Sequence, residues 1–81
     1  MMDVSIGPTT VTVCESTAHC CVINPTETYV DQIADYIFTN NYVCDAIFHD
    51  KLDKAQVLQN KVGGRVCTTE SELKSILTGY S

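Results

Sequence analysis

The stretch NPTETYVDQIADYIFTNNYVCDAIF, Asn24 to Phe48, decides the fold class because its hydrophobic period changes partway along. Val30, Ile33, Ala34, Ile37 and Phe38 recur at i, i+3, i+4, i+7 and i+8, which is one apolar stripe along a helix. Asn24, Pro25 and Glu27 supply a cap, a first helical residue and an N3 acid, and Thr28 with Asp31 offers a second cap slightly later. Asp31 and Asp35 share the polar face, and with Glu27 they put negative charge where the helix dipole favours it. Asn40-Asn41 ends the helix. The period then shortens to two: Tyr42, Cys44, Ala46 and Phe48 fall on one face, and Val43, Asp45 and Ile47 on the other. Both faces are mostly apolar, as in a central strand covered by helices.

On the N-terminal side, Gly7-Pro8 breaks the first segment. TTVTVC then alternates, with Val11 and Val13 opposite Thr10, Thr12 and Cys14, and HCCVIN forms a second strand. The two pair as a hairpin through the polar turn at Glu15-Ser16-Thr17. On the C-terminal side, Asp50 caps a helix whose inner face is Leu52, Ala55, Leu58 and Val62, and Gly63-Gly64 stops it. RVCT is a short strand. Thr69 and Glu72 form a capping box for a last helix with Leu73, Ile76 and Leu77 inward and Gly79 as its stop. The predicted order is β-β-α-β-α-β-α over residues 1–81: a single compact α/β domain with a mixed sheet of about four strands and three helices.

Charge is unevenly placed. The first fifty residues hold seven acids and no Lys or Arg, about −7, whereas the last thirty-one hold three acids and all five bases, about +2. Such a chain is repelled by nucleic-acid phosphates and drawn to basic protein surfaces. At 81 residues with 44% hydrophobic content it is an ordinary small globular chain, not a disordered one. No apolar run reaches the roughly 18–20 residues of a membrane span. The start, Met-Met-Asp-Val-Ser, lacks a secretory signal, so the expected location is cytoplasmic, with a mature secreted chain as the alternative.

The segment CCVINPTETYVDQIADYIFTNNYVCDAIFHDKLDKAQVLQNK, Cys20 to Lys61, resembles the anticodon-binding domain of class II aminoacyl-tRNA synthetases of the threonyl, histidyl and prolyl group. An apolar strand leads into an amphipathic helix, and a second strand runs into a polar turn that opens the next helix. The likeness covers about half the chain, in pattern more than in identities. It implies a non-catalytic RNA-recognition module with contacts near the turn at His49 to Lys54. Phosphate electrostatics then favour Lys51, Lys54, Lys61 and Arg65 as the RNA-binding patch.

Three of the five cysteines lie within VTVCESTAHCCVIN, Val11 to Asn24, beside His19. Zinc sites pair their ligands at C-x2-4-C spacing, and Cys14, His19, Cys20 and Cys21 do not; the adjacent pair on a strand points to opposite faces. No C-x-x-C opens a helix, so a thioredoxin-type site is not expected. Disulfides would join Cys14 to Cys20 or Cys21, and Cys44 to Cys67, leaving one thiol over. The preferred reading makes all five small buried hydrophobes. Cys14 or Cys20 beside His19 lacks an orienting group, and no phosphate-cradling glycine loop is present, so neither a catalytic set nor a cofactor or metal site is expected.

The sequence therefore points to a small acidic interaction protein. Its partner would be a protein with a basic surface, met by Glu27, Asp31, Asp35 and Tyr36, with Glu15 and Asp45 adjoining. Charge would speed the encounter and tyrosines would hold it. A viral or phage accessory protein that occludes a nucleic-acid-binding machine fits this description. The alternatives are a standalone RNA binder and a thiol-redox or disulfide-stabilised secreted protein, and a homo-oligomer is compatible with any of them.

Overall fold

The computed structural model describes residues 1–80. Its strands are β1 (Met2–Ile6), β2 (Thr9–Cys14), β3 (His19–Ile23), β4 (Val43–Phe48) and β5 (Arg65–Cys67). Its helices are α1 (Val30–Thr39), α2 (Leu52–Val62) and α3 (Glu70–Leu77), with 3-10 turns at Glu27–Tyr29 and Thr78–Tyr80. The five strands form one sheet in chain order. β1, β2 and β3 pair antiparallel through tight turns, whereas β3, β4 and β5 are parallel and joined by α1 and α2. Both crossovers step the same way along the sheet, so the right-handed rule places both helices on one face. The expected mixed α/β domain is present, with one strand more than the sequence suggested. β1 was missed because MDVSI carries a weak, edge-type alternation in which only Met2, Val4 and Ile6 pack against the core.

Two cores flank the sheet. The larger lies under α1 and α2 and combines Val11, Val13, Cys20, Val22, Cys44 and Ile47 with Val30, Ile33, Ala34, Ile37, Ala55 and Leu58. The smaller holds Cys14, Cys21, Ala46 and Cys67 beneath Leu73 and Tyr80. β2 divides as its alternation predicted, with Val11 and Val13 on one side and Cys14 on the other.

β4 departs from its predicted parity. Cys20 aligns with Cys44 but Cys21 aligns with Ala46, so Asp45 is one extra residue in β4. This bulge puts Cys44 and Ile47 in the larger core and Ala46 in the smaller, where simple alternation had placed Cys44 with Ala46.

The helix ends also differ in detail. Asn24 takes a left-handed backbone (φ 57°), so the chain turns before Glu27–Tyr29 and α1 begins at Val30 without a side-chain cap. Phe38, expected in the buried stripe, is 57% exposed in the last turn of α1. Asp50 does not cap α2; the Lys51 N–H donates instead to Nδ1 of His49, 3.0 Å away. Leu52 is exposed, while Ala55 and Leu58 are buried as expected. Thr69 accepts the Glu72 N–H as predicted for α3, but Gly79 does not end the chain's helical path, which continues through the 3-10 turn to a buried Tyr80.

Candidate functional site

The acidic residues expected to act together separate into two settings. Asp31 and Asp35 lie on the exposed side of α1, which is anchored to the sheet by its opposite stripe. Because α2 lies beside α1 on the same sheet face, Lys61 in the last turn of α2 reaches Asp31, with Nζ 3.2 Å from Oδ1. Asp31 is 91% exposed, so this pair contributes little to stability. Asp35 has no ion-pair partner among the described residues.

Asp35 and Tyr36 instead line a groove of about 350 Å³ between α1 and the edge strand β1, together with Ile6, Gln32, Thr39 and Asn40. The Tyr36 ring is half-buried and packs edge-on against Tyr42, with centroids 5.8 Å apart at 61°. Burial and the neighbouring Tyr42 push the Tyr36 phenol up, which keeps it neutral. Glu27 is exposed one 3-10 turn before α1, outside this groove. Glu15 lies in the β2–β3 turn, at the end of the sheet opposite Glu27.

Asp45 does not belong to this surface. The bulge turns it to the α3 side of the sheet, where Oδ1 lies 2.7 Å from His19 Nδ1 and Oδ2 accepts the Tyr80 hydroxyl at 2.6 Å. Tyr80 in turn accepts the Cys21 thiol at 3.2 Å. His19, Asp45 and Tyr80 border a cleft of about 310 Å³ with Thr17, Ile76 and Gly79. Sequence reading joined His19 to the cysteines and missed this chain of contacts. The available signal was an acid inside the apolar run YVCDAIF, since a carboxylate there demands hydrogen-bonding partners.

Burial pushes the Cys21 thiol up to about 11 against the partial relief of the Tyr80 hydrogen bond, and burial followed by the Asp45 bond pushes the Tyr80 phenol up as well. The folded protein therefore keeps a proton on Cys21 that the unfolded chain releases near its ordinary value of about 9. Between those values the unfolded state binds fewer protons, so stability present below pH 9 falls as pH rises toward 11. The urea midpoint should drop over that interval, and Cys21→Ala should drop less steeply; a midpoint rising with pH would contradict this arrangement.

The cysteines are all free and all buried. Two of the predicted disulfides do not fit the faces, because Cys14 lies opposite Cys20 and Cys67 opposite Cys44, whereas Cys14 and Cys21 share a face. Cys14 registers with His19, and Cys21 with Thr12, so the hairpin brings no two cysteines into register.

The four basic residues of the RNA reading are spread from the start of α2 to β5. Lys51 and Lys54 sit at the start of α2, whereas Lys61 is in its last turn, about 10–15 Å further along at the helical rise. Lys61 pairs with Asp31, and Arg65 with Glu72 at 3.3 Å.

No protein-family model and no curated protein matches the chain. Among solved structures it is similar to ETHE1 from Myxococcus xanthus, at TM-score 0.68 and 17% identity over 82% of this chain. The alignment covers 34% of the ETHE1 chain, so this chain spans about a third of that protein. At this identity the likeness concerns the α/β architecture alone. Among the described residues no helix is long and apolar enough to cross a membrane.

Proposed function

We propose that the chain is a small non-catalytic interaction protein that docks a basic protein partner on the outer side of α1 and occludes the partner's cationic surface. One observation carries this reading: Asp35 and Tyr36 share a groove, and Asp35 has no cation of its own chain within ion-pair distance among the described residues. Lys61 and Arg65 are engaged with Asp31 and Glu72. A guanidinium or ammonium from a partner would find a carboxylate and a phenol face together, and Ile6 adds apolar area at the groove's β1 wall. Glu27 and the rest of the unbalanced N-terminal charge would speed the encounter.

The test is retention of proteins from the source organism's lysate on the immobilised chain, with the retained species identified by mass. The expected ligand is a protein with a basic, nucleic-acid-binding surface. Its affinity should fall at least tenfold in Glu27→Lys/Asp35→Lys and stay unchanged in Asp53→Lys/Glu70→Lys, which alters the other two helices equally in charge. Retained RNA whose binding weakens steeply with salt would favour the anticodon-domain-like alternative. Equal retention by both double variants would remove the α1 surface from the reading.

A further inference from the structure

Cys20 on β3 and Cys44 on β4 are register partners in the parallel part of the sheet. Both side chains enter the larger core, one on each of two hydrogen-bonded neighbouring strands. Neighbouring strands lie about 4.8 Å apart, inside the roughly 4.4–6.8 Å Cα separation that a disulfide spans. The Cys44 sulfur donates to the Ala46 carbonyl at 3.6 Å, and the interaction of the two neighbouring thiols holds Cys20 down and, with burial, pushes Cys44 up. Cys21 and Cys67 are turned away on the far face, and Cys14 is on that face too. Of the five cysteines, this pair alone shares both register and face.

The covering of the pair is also distinctive. Cys20 is fully buried, while Cys44 keeps 7% exposure. The cover over Cys44 is the Gly63–Gly64 turn: a Cβ on Gly64 would stand 3.2 Å from the Cys44 sulfur and 2.8 Å from its carbonyl oxygen. Both glycines have positive φ, and around Gly63 there is open space. Local opening of this turn would uncover the Cys44 sulfur before any strand separates.

We propose that Cys20 and Cys44 form a peroxide-responsive dithiol that closes to a cross-strand disulfide. Opening of the glycine turn admits hydrogen peroxide to the pair, and Cys20, whose proton is the less tightly held of the two, loses it and attacks the O–O bond. It becomes a sulfenic acid, and the departing hydroxide takes the proton to give water. The Cys44 thiolate then attacks that sulfenic sulfur, forming the S–S bond and expelling hydroxide, which collects the Cys44 proton as a second water. Two thiols are oxidised and one peroxide is reduced to two waters. The product ties β3 to β4 at the centre of the sheet and leaves Cys14, Cys21 and Cys67 reduced.

The experiment treats the reduced full chain with a small excess of hydrogen peroxide and counts thiols with N-ethylmaleimide after denaturation. Five labels should fall to three, with an intact mass lower by two hydrogens before labelling. Cleavage after glutamate should link the fragment Ser16–Glu27 to the fragment Thr28–Glu70. Cys21→Ser and Cys67→Ser should keep the link; Cys20→Ser and Cys44→Ser should abolish it. Where a serine variant fails to fold, fragmentation of the linked wild-type peptides assigns the sulfurs directly. The oxidised protein should melt at least about 5 °C higher than the reduced one, because the link closes a loop of about 25 residues in the unfolded chain. Retention of five thiols, a link through Cys14, Cys21 or Cys67, or disulfide-joined dimers would each overturn the proposal.

Discussion

Gly64→Ala is expected to destabilise the fold by about 2–5 kcal/mol, which is a large share of what so small a chain possesses. Two effects combine at this position. The backbone has φ +95°, a conformation that an L side chain adopts only under strain. The added methyl would also lie 2.8 Å from the Cys44 carbonyl oxygen and 3.4 Å from the Asp45 backbone carbon. Those are backbone atoms of β4, which lies between β3 and β5 and pairs with β3 at Cys44, so they cannot move aside as the end of a long side chain could. A domain of 81 residues at roughly 0.05–0.15 kcal/mol per residue has a total of about 4–12 kcal/mol. The measurement is equilibrium urea unfolding, with Gly63→Ala for comparison. Gly63 has a positive φ of 73° but nothing within 4 Å of a Cβ, so it should lose only the strain component. Equal losses at the two positions would show that close approach to Cys44 is unimportant.

Ile33→Ala should cost about 3–4 kcal/mol. Ile33 is fully buried in the middle of the stripe that Val30, Ala34 and Ile37 continue, and it packs into the larger core between sheet and helix. Truncation leaves a cavity that α1 cannot fill without lifting from the sheet. Phe38→Ala, on the same helix but 57% exposed, should change stability by less than about 0.5 kcal/mol. The contrast has a functional edge. α1 displays Asp35 and Tyr36, so loosening its anchor should weaken partner retention in proportion to lost helix order, whereas Phe38→Ala should leave folding intact. Circular dichroism and urea titration of the two variants separate these outcomes, and a small effect of Ile33→Ala would mean that α1 is held by something other than its apolar stripe.

The architecture was legible where periodicity and caps agree. The stripe of α1, the Gly63 stop of α2 and the Thr69–Glu72 cap of α3 depend on neighbours within a few positions, and those relations are written in the chain. What escaped depends on partners far away in sequence. The parity of β4 changes because its register with β3 shifts at Asp45, and no local pattern records that. Tyr80 lies beyond the glycine expected to stop α3, yet it is buried and bonded to Asp45 and Cys21, thirty-five and fifty-nine positions earlier. The acidic surface shows the same limit. Composition places the negative charge in the first fifty residues, but only the packing of α2 beside α1 reveals that Lys61 reaches Asp31 while Asp35 has no ion-pair partner among the described residues. Cysteine spacing was equally uninformative, since which faces the sulfurs share is fixed by strand order and by the shift in β4.

The odd residue in β4 also governs assembly. Sliding β4 one place along β3 would swing the Asp45 carboxylate in among Val22, Ile33 and Leu58, stripped of His19 and Tyr80, at a prohibitive desolvation cost. Slippage is therefore self-penalising: Asp45 works as a peg that fits one hole, and a nascent chain laying these two strands together has a single alignment it can keep.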